Sequence, residues 1–422
     1  MFGAGFFLLT IGLLVAGLMR WLHPSWWQRP WIRRALVLMV AGTLVMVLTR
    51  QLGLGRLVPS YRSPALTIAS GIGGGIGVIW VLSLLFTVPL AGIVRKVLGF
   101  AARRKTEPAD PAEPRSAATT TSGDEETPAS AAPQRSAPQR SAPALSRRTV
   151  LETAAAAIPA SGLGLGAVGV AGAFVPTAVV PRPLSFSGLP DDLAGLKILQ
   201  LTDVHLGAFM DPSGVVDLVE RARETKPDLV VLTGDICDHL PWLEAALRAV
   251  ETLDPRLGLF AVMGNHEHYR GSLQTRRSYA KTRIELLDDT HRVIRVGSGK
   301  LVVSGVDDPV GRASDAYFER AIDRALSGAP SDAFHLGLSH RPSGFVALSS
   351  AGVDLTLSGH THGAQVGFGD RSLLEPLAKG SFLRGTYDRE GKRLYTSSGA
   401  GHWLAFRLDC PSEAALITLE KA

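Results

Sequence analysis

Cysteine is scarce in this chain of 422 residues, which contains only Cys237 and Cys410. Two thiols do not make a disulfide scaffold, and the lack of a cysteine-rich set argues against a structural zinc site. We expect both thiols to be unpaired. Cys237 follows Asp235 by two residues, so it is expected near the candidate site described below without acting as a ligand there.

Acidic residues and histidines are scarce in the first part of the chain. Residues 1–150 carry 17 Lys and Arg but 6 Asp and Glu, whereas the remainder carries 27 and 32. Ten of the 11 histidines follow residue 150, and the exception is His23. The sequence pI of about 9.5 therefore belongs to the front half. The mildly acidic remainder argues against a nucleic-acid-binding surface, so no nucleic-acid partner is expected.

The front half consists largely of apolar stretches long enough to cross a bilayer, which takes about 20 residues. Three such stretches predict a transmembrane region with three helices over residues 1–100: Phe2–Leu18, Ala35–Leu48 with its flanks, and Ala65–Val94. A group of tryptophans between the first two stretches is typical of a lipid–water interface. The stretches hold almost no charge, which argues against a transporter with an appended enzyme.

Basic residues beside the apolar stretches predict the orientation. They form three groups: Arg20, Arg29, Arg33 and Arg34; Arg50, Arg56 and Arg62; and Arg95, Lys96, Arg103, Arg104 and Lys105. Because basic loops stay in the cytoplasm, the first and third groups are expected inside and the second outside. The third group carries most of this argument, since the first two differ by a single residue.

Two segments separate the apolar stretches from the rest of the chain. Residues 101–146 are rich in Ala, Pro and Ser and cannot fill a core, which predicts a disordered linker. In residues 147–181, Arg147-Arg148 precedes a weakly apolar stretch. The arginine pair and the stretch together resemble a twin-arginine export signal. The alternative is a fourth transmembrane helix with positive-inside anchors. Both alternatives predict a protein of the bacterial cytoplasmic membrane, with residues 182–422 outside the cytoplasm. Whether the segment 147–181 is cleaved is left open.

The pattern changes in residues 182–422, where short apolar runs alternate with helical stretches such as Val215–Glu224 and Pro241–Thr252. Five of these runs are rich in Val and Leu and read as buried strands: Leu196–Thr202, Asp228–Thr233, Leu259–Met263, Phe334–Ser339 and Asp354–Ser358. Alternation of strands and helices predicts an α/β layered domain.

A polar cluster follows each of the five predicted strands. The clusters are Asp203-x-His205, Gly234-Asp235, Gly264-Asn265-His266-Glu267, His340, and Gly359-His360-Thr361-His362. Because strand ends of one sheet converge, these residues are expected to share one site. Carboxylate, amide and imidazole ligands suit divalent Mn, Fe or Zn, and two such ions can hold a phosphate and activate water. Asp235, with two oxygens, is the natural bridge.

The five clusters, in this order over about 160 residues, resemble the calcineurin-like metallophosphoesterase family. The resemblance implies a two-sheet β-sandwich flanked by helices and a phosphodiesterase or phosphomonoesterase activity. It also implies two sets of metal ligands: Asp203, His205, Asp235 and His362 for the first ion, and Asp235, Asn265, His340 and His360 for the second. His266 would be the general acid or would stabilise charge on the leaving group.

The apolar front half and Arg147-Arg148 narrow the resemblance to a bacterial membrane-associated, twin-arginine-exported subgroup. Some relatives act on phosphodiester or pyrophosphate bonds of lipid-linked molecules such as UDP-diacylglucosamine. A phosphate ester of the cell envelope or of a lipid-linked molecule is therefore the expected substrate. The alternative is a membrane scaffold or sensor that binds ligand without turnover, against which the complete ligand set argues. The oligomeric state is left open.

Several neighbouring residues have weaker expectations. Glu267 is expected to hold a ligand loop, and Asp238 is expected to be solvent-exposed or turn-forming rather than a ligand. His268, Tyr269 and Arg270 are expected on a loop, with substrate contact left open. Four further groups are expected outside the site or in ordinary turns: Asp307 with Asp308, His239, His291, and His335 with His402.

Overall fold

The computed structural model describes residues 3–51, 77, 79–81, 83–97, 100, 147–207, 209–311, 314–402 and 404–422. The predicted linker, residues 101–146, lies outside the described residues. Most of the second basic group and the beginning of the third apolar stretch also lie outside them.

Helices make up the described part of the chain before residue 174. They are α1 (Gly3–Leu22), α2 (Pro24–Trp27), α3 (Pro30–Gln51), α4 (Ile79–Val97) and α5 (Arg147–Ala173). Helices α1, α3 and α4 share an apolar core that includes Val15, Leu36 and Val88. Their outer faces are also apolar, as in Leu38 (72% exposed) and Phe86 (73% exposed). Apolar side chains on both faces are typical of helices that face lipid.

Glycines allow α5 to pack closely against α4. A Cβ on Gly162 would lie 2.7 Å from Thr87 Cγ2, and one on Gly166 would lie 3.0 Å from Trp80 Cδ1. Among the described residues, Ile79–Val97 alone is long and apolar enough to cross a membrane, while Leu9–Leu22 and Ala157–Ala173 are shorter apolar helices. Of the three predicted spans, the structure therefore gives one that meets both criteria.

The basic ends of α1 and α4 lie together. Lys96 Nζ lies 5.3 Å from the centroid of the Trp21 ring, and Arg95 donates a hydrogen bond to the carbonyl of Leu22. The glycine contacts place the C-terminal half of α5 beside Trp80, at the opposite end of α4. Since α5 continues into the following domain, that domain lies at the end of the bundle away from these basic residues.

Strands and helices alternate from residue 178 onward. In chain order they are β1 (Ala178–Phe186), β2 (Lys197–Leu201), α6 (Pro212–Arg223), β3 (Leu229–Thr233), α7 (Leu243–Glu251), β4 (Leu259–Val262), α8 (Asn265–Tyr279), β5 (Glu285–Leu286), β6 (Thr290–Val296), β7 (Gly299–Val306), α9 (Asp315–Ala325), β8 (Phe334–Ser339), α10 (Phe345–Ser350), β9 (Leu355–Ser358), β10 (Gly367–Phe368), β11 (Arg371–Ser372), β12 (Gly385–Arg389), β13 (Lys392–Thr396) and β14 (Glu413–Lys421).

The strands form two six-stranded mixed sheets. The first has the order β1-β14-β2-β3-β4-β5, with β2 to β5 parallel and β14 antiparallel to β2. The second has the order β12-β13-β9-β8-β7-β6, with β13, β9, β8 and β7 parallel and both edge strands antiparallel. A short hairpin pairs β10 with β11. The two-sheet α/β fold predicted for this half is confirmed.

The strand β3 shows why these sequences form buried sheets. All five of its residues are buried, and successive side chains point to opposite faces of a strand. Leu229 and Val231 pack into the core between the two sheets, whereas Val230 and Leu232 pack beneath α6 and α7. A continuous apolar run is therefore required, because both faces of the sheet are covered.

Local signals fix where the helices of this domain begin. Asp211 precedes α6 and accepts a hydrogen bond from the backbone N–H of Gly214 at 3.0 Å, while Pro212 occupies the first turn. Ser314 caps α9 in the same way, accepting from Tyr317 N at 3.2 Å. The predicted helical stretches correspond to α6 and α7.

The domain begins earlier than the predicted boundary at residue 182. Strand β1 starts at Ala178 and pairs in parallel with β14, Ala178 opposite Glu413. Pro181 and Pro183 obscured this strand in the sequence, because proline lacks the N–H that a central strand requires. At the edge of the first sheet both prolines are tolerated.

Candidate metal centre

The predicted polar clusters meet at one edge of the two sheets. Asp203 follows β2, Asp235 follows β3 and Asn265 follows β4, all in the first sheet. His340 follows β8 and His360 follows β9, in the second sheet. Since these strands are parallel within each sheet, their carboxyl ends bring the polar residues together. The structure thus collects all eight predicted site residues.

The backbone of this site adopts left-handed conformations. Five of the predicted site residues have positive φ angles: Asp203 (51°), His205 (50°), Asp235 (53°), His360 (70°) and His362 (51°). Each such non-glycine residue costs on the order of 1 kcal/mol or more and persists where its surroundings hold it. All five residues follow closely on the ends of β2, β3 and β9, and their side chains lie together at the site.

One set of donor atoms gathers around His205 and His362. The Nε2 atoms of these two rings face each other at 3.1 Å, and His362 Nε2 lies 3.3 Å from Asp203 Oδ1. Asp235 Oδ2 lies 3.9 Å from His205 Nε2. All of these side chains are buried, so their donor atoms face one another rather than solvent.

A second set of donor atoms gathers around His340. Its Nε2 atom lies 3.2 Å from Asp235 Oδ2, 3.2 Å from Asn265 Oδ1 and 3.1 Å from His360 Nδ1. Its Nδ1 atom lies 2.9 Å from the carbonyl of Thr233, which orients the ring. The same carboxylate oxygen of Asp235 therefore borders both sets.

These residues fit divalent metal ions. Three overlapping groups place carboxylate and imidazole donor atoms within 4.8 Å of one another: Asp203, His205 and His362; Asp235, His340 and His360; and His205, Asp235 and His266. Burial, together with the charges of His340 and Arg341, lowers the pKa of His360 to about 3. A neutral imidazole keeps a lone pair for a cation, and such nitrogen and oxygen sets suit Mn, Fe or Zn.

Glycines make the close packing of the site possible. A Cβ on Gly264 would lie 2.2 Å from Asp235 Oδ1, and one on Gly359 would lie 2.0 Å from Asp203 Oδ2. Gly399, outside the five clusters, has a φ of 85°, and a Cβ there would lie 2.7 Å from Asp203 Cβ. Gly264, Gly359 and Gly399 are therefore needed for space, and Gly399 also for its left-handed backbone.

Glu267 holds two of the ligand loops, as predicted. Its carboxylate accepts hydrogen bonds from the backbone N–H groups of Asp235 (2.9 Å), Ile236 (2.7 Å), Cys237 (3.0 Å) and Gly264 (2.8 Å). Burial and the neighbouring charge of Asp235 raise the pKa of Glu267. The side chain ties the loop after β3 to the start of α8 without facing the donor atoms.

Asp238 lies in a bend, but its side chain is only 15% exposed, so the prediction that it is solvent-exposed was wrong. Its carboxylate lies 3.1 Å from His205 Nδ1, 2.7 Å from His266 Nδ1 and 2.9 Å from Arg270 Nη2. Although burial opposes ionisation, hydrogen bonds from the two histidines hold the pKa of Asp238 well below its usual range. The backbone of Cys237 forms an isolated β-bridge with Leu206, which holds this loop beside the site. Local turn propensities do not predict such a long-range pairing.

His266 borders the metal centre and also contacts solvent. Its Nε2 atom lies 3.9 Å from Asp235 Oδ2, its backbone N–H donates to Asp235 Oδ1 at 2.9 Å, and its side chain is 22% exposed. Burial lowers its proton affinity, but Asp238 and Asp235 outweigh this and raise the pKa of His266 above the ordinary value. The ring therefore lies at the border of the donor sets, with its Nε2 atom toward Asp235.

Residues 268–270 lie in a helix rather than in the predicted loop. Helix α8 begins at Asn265, and Gly271 interrupts it with a φ of 143°. Glu267, three residues after Gly264, is the sequence signal for this helix start that was missed. His268 pairs with Asp307 at 2.9 Å, whereas Tyr269 is 60% exposed.

Arg341 is a site residue that the sequence reading missed. Its Nη1 atom lies 3.1 Å from His360 Nε2, and its Nε donates to Asp308 Oδ2 at 2.7 Å. Asp308 is thus a buried ion-pair partner and not merely a turn residue. The position of Arg341 directly after His340 was the available signal. His291 and His335 bond to backbone carbonyls elsewhere, as expected.

Comparison with known proteins gives the same assignment. The sequence profile of the calcineurin-like phosphoesterase family matches residues 196–364. An uncharacterized metallophosphoesterase of Helicobacter pylori strain J99 is 34% identical over 228 residues, which cover 53% of this chain and 60% of that protein. The transmembrane protein with metallophosphoesterase domain of Danio rerio is 30% identical over 58% of each chain.

A shorter relative is matched over most of its length. The uncharacterized metallophosphoesterase of Aquifex aeolicus is 32% identical over 230 residues, which cover 53% of this chain and 85% of that protein. The chain spans 60% of the length of its Helicobacter pylori relative. With its two mixed sheets and its clustered donor residues, the chain belongs to the calcineurin-like phosphoesterase family.

Proposed function

We propose that this protein is a membrane-bound phosphoesterase. Its catalytic domain would lie outside the cytoplasmic membrane and use two divalent metal ions. The observation that carries the proposal is the position of Asp235, which borders two separate sets of donor atoms while His266 lies beside it. Its substrate is a phosphodiester, pyrophosphate or phosphomonoester of the cell envelope or of a lipid-linked molecule.

Each set of donor atoms would hold one ion. The first comprises Asp203, His205, Asp235 and His362, and the second comprises Asp235, Asn265, His340 and His360. When bound, the ions supply positive charge that polarises the phosphate ester and activates a water molecule. The carboxylate, amide and imidazole ligands suit Mn, Fe and Zn alike.

The remaining polar residues orient the site and move a proton. Asp238 holds His205 through its Nδ1 atom, which directs Nε2 toward the centre. Asp238 also holds His266, whose Nε2 atom is left facing Asp235 and the solvent-exposed side. His266 would therefore donate its Nε2 proton to the leaving-group oxygen as the ester bond breaks.

Three observations support the membrane location. The basic ends of α1 and α4 lie at the opposite end of the bundle from the catalytic domain, as expected if the basic ends are cytoplasmic. The bundle exposes large apolar side chains such as Leu38 and Phe86. The name of the Danio rerio relative also describes a transmembrane protein with the same type of domain.

The structure also bears on residues 147–181. Helix α5 packs against α4 through Gly162 and Gly166, and Arg407 N donates to the carbonyl of Gly169 at 2.7 Å. Thr177 donates to the carbonyl of Ala400 at 2.6 Å. These contacts support a retained fourth helix over a cleaved export signal.

The test is hydrolysis by the full chain in detergent. Purified protein is incubated with Mn, Fe or Zn, and turnover of an aryl phosphodiester and an aryl phosphomonoester is measured before and after chelation. We expect metal-dependent turnover, and a loss of more than about 100-fold in Asp203→Asn, because a ligand matters more than its supporting residues. Asp323→Asn, at an exposed position of α9, is the matched control.

The outcomes separate the enzyme from a binding module. Metal binding without turnover of either ester would support the membrane scaffold or sensor instead. Equal activity of Asp203→Asn and Asp323→Asn would contradict the ligand assignment. The orientation is tested with a reporter that works only in the cytoplasm, fused after Ala422. Activity of this reporter would contradict the proposed orientation.

A further inference from the structure

Exposed apolar residues are concentrated in one segment of the catalytic domain. This rim segment, residues 366–383, contains the hairpin of β10 and β11 and follows the metal-centre residue His362. Four of its large apolar side chains are exposed: Phe368 (77%), Leu373 (56%), Leu374 (39%) and Leu377 (85%). Such a concentration marks a surface that contacts a partner or a membrane.

The rim segment is attached to the metal centre at both ends. It starts directly after the turn His362–Gln365, and the hydroxyl of Thr361 donates to the carbonyl of Leu383 at 2.6 Å. A Cβ on Gly363 would lie 3.0 Å from Arg384 Cδ, so the two ends pack directly together. The exposed apolar residues therefore stand at the border of the site that binds the phosphate ester.

The same segment is connected to helix α5. Gly367 N donates to the carbonyl of Leu408 at 2.8 Å, and Arg407 N donates to the carbonyl of Gly169 at 2.7 Å. A Cβ on Gly169 would lie 2.0 Å from the ring of Phe406, so this loop packs directly on the helix. Two backbone hydrogen bonds thus link the rim segment to a helix of the bundle.

Helix α5 and the residues after it also expose apolar side chains. Leu165, Val168, Phe174 and Val175 are each at least half exposed. The acidic residues of the rim segment have partners, because Asp370 pairs with Arg182 at 2.9 Å and Glu375 accepts from Leu383 N at 3.2 Å. The same segment carries the basic residues Arg371 and Lys379. An apolar surface with paired acidic residues and basic residues beside it suits a lipid interface.

We infer that the rim segment docks on the bilayer that holds α4 and α5, so that the metal centre opens at the lipid surface and takes phosphate esters carried by lipid headgroups. The inference rests on the proposed function and names its substrate class. A bilayer is favoured over a second copy of the chain because backbone hydrogen bonds at Leu408 and Arg407 tie the rim segment to α5, which also exposes apolar side chains. A phosphate in a headgroup would lie at the depth of this interface, whereas a soluble ester would enter from water.

The docking is tested by fluorescence quenching in full-length protein in lipid nanodiscs. A Leu377→Cys variant is labelled with an environment-sensitive fluorophore, which is selective because Cys237 and Cys410 are buried. Lipids carrying a spin label serve as the quencher. Val293→Cys on β6, at the sheet edge opposite β12, is the matched control, with Val293 44% exposed.

We expect strong quenching at position 377 and little at position 293. Equal quenching at the two positions would overturn the inference. The fluorophore at position 377 could also become shielded from water in detergent, and more so at higher protein concentration. That result would overturn the inference, because a second copy of the chain would then cover the segment.

An activity measurement tests the substrate class. The double variant Phe368→Asp/Leu377→Asp is expected to lose about tenfold or more of kcat/KM, about 1.4 kcal/mol, on a fluorogenic phosphodiester lipid in phosphatidylcholine–phosphatidylglycerol vesicles. Its turnover of a soluble aryl phosphodiester is expected to match that of Val293→Asp. An equal loss on both esters would contradict a role in presenting lipids.

The two proposals fail in different ways. If the unsubstituted protein hydrolyses neither ester, the proposed function fails while the quenching result still decides whether the rim segment docks. If it hydrolyses the soluble ester but quenching at position 377 is absent, the enzyme stands and the docking is contradicted.

Discussion

The catalytic domain and the helical bundle are organised by opposite physical requirements. The domain buries charged groups such as Asp203, Asp235 and Glu267 and holds five site residues in strained left-handed conformations. The bundle exposes apolar groups such as Leu38 and Phe86, and its helices approach through glycines. Chemistry therefore depends on exact residue types at strand ends, whereas the bundle depends on size and apolar character.

This comparison explains why the two regions tolerate different substitutions. A buried carboxylate among imidazoles has no interchangeable replacement, because each atom has a designated partner. An apolar residue on an outer helix face can be exchanged for another of similar size. The following predictions test that contrast, beginning with the largest expected effect.

Replacing His266 should remove proton transfer while leaving the donor sets in place. For His266→Ala we expect kcat to fall by about 10²- to 10⁴-fold, with metal content unchanged, since the two proposed ligand sets do not include His266. Turnover is measured with aryl phosphodiesters whose leaving groups differ in pKa. The loss should be smallest for the most acidic leaving group, which needs no proton. A loss that is uniform across leaving groups would contradict the acid role.

Replacing Asp238 should disturb the site through the two histidines that it holds. Asp238→Asn is expected to lower metal affinity or activity by about 10- to 100-fold, as is usual for a residue that orients a ligand. Affinity is measured by competition with a chelating dye. Asp217→Asn, on α6, is the control, and equal affinity of the two variants would show that Asp238 does not position His205.

Substitution of a packing glycine tests the bundle. Gly166→Leu should destabilise the protein by about 3 kcal/mol, because even a Cβ there would lie 3.0 Å from Trp80. The matched control is Gly164→Leu, since a Cβ on Gly164 has no described atom within 4 Å. Thermal unfolding in detergent measures both, and equal melting temperatures would contradict the packing of α5 on α4.

The smallest effect is expected from a buried carboxylate away from the metal centre. Glu413 lies 2.9 Å from Arg182, and although burial opposes it, this charge lowers the pKa of Glu413 below its ordinary value of 4.5. A lowered folded-state pKa gives stability that is present above pH 4.5 and is lost as the pH falls through the folded value.

Glu413→Gln should remove this contribution. We expect a loss of about 1.5 kcal/mol at pH 7, typical of one charge-assisted hydrogen bond, and a flatter decline in melting temperature below pH 4.5. Glu420→Gln, at an exposed position of β14, is the control. An unchanged acid profile in Glu413→Gln would show that the ion pair adds nothing to stability.

Residues with a local sequence signal were predictable, whereas residues placed by long-range packing were not. Asp203, Asp235 and His340 were predictable because each follows an apolar strand, and parallel strand ends converge. Strand β8 was predicted with its observed bounds, Phe334–Ser339. Such signals are local, so they survive without knowledge of the tertiary fold.

The misses concern long-range contacts. Asp238 reaches His205 and His266 only because its loop returns to the site, and Arg341 reaches His360 on the neighbouring strand's loop. The link from the rim segment to α5 joins residues about 200 positions apart, through Arg407 and Gly169. No periodicity encodes these contacts, because they depend on how separate loops pack at one edge of two sheets.

The central claim is that Asp235 is shared by two metal ions, and electron paramagnetic resonance of the manganese-loaded full chain tests it most directly. The account predicts two ions per chain with an exchange-coupled spectrum, and a loss of the coupling in Asp235→Asn. At saturating metal, a spectrum of isolated Mn²⁺ in the unsubstituted protein would contradict it.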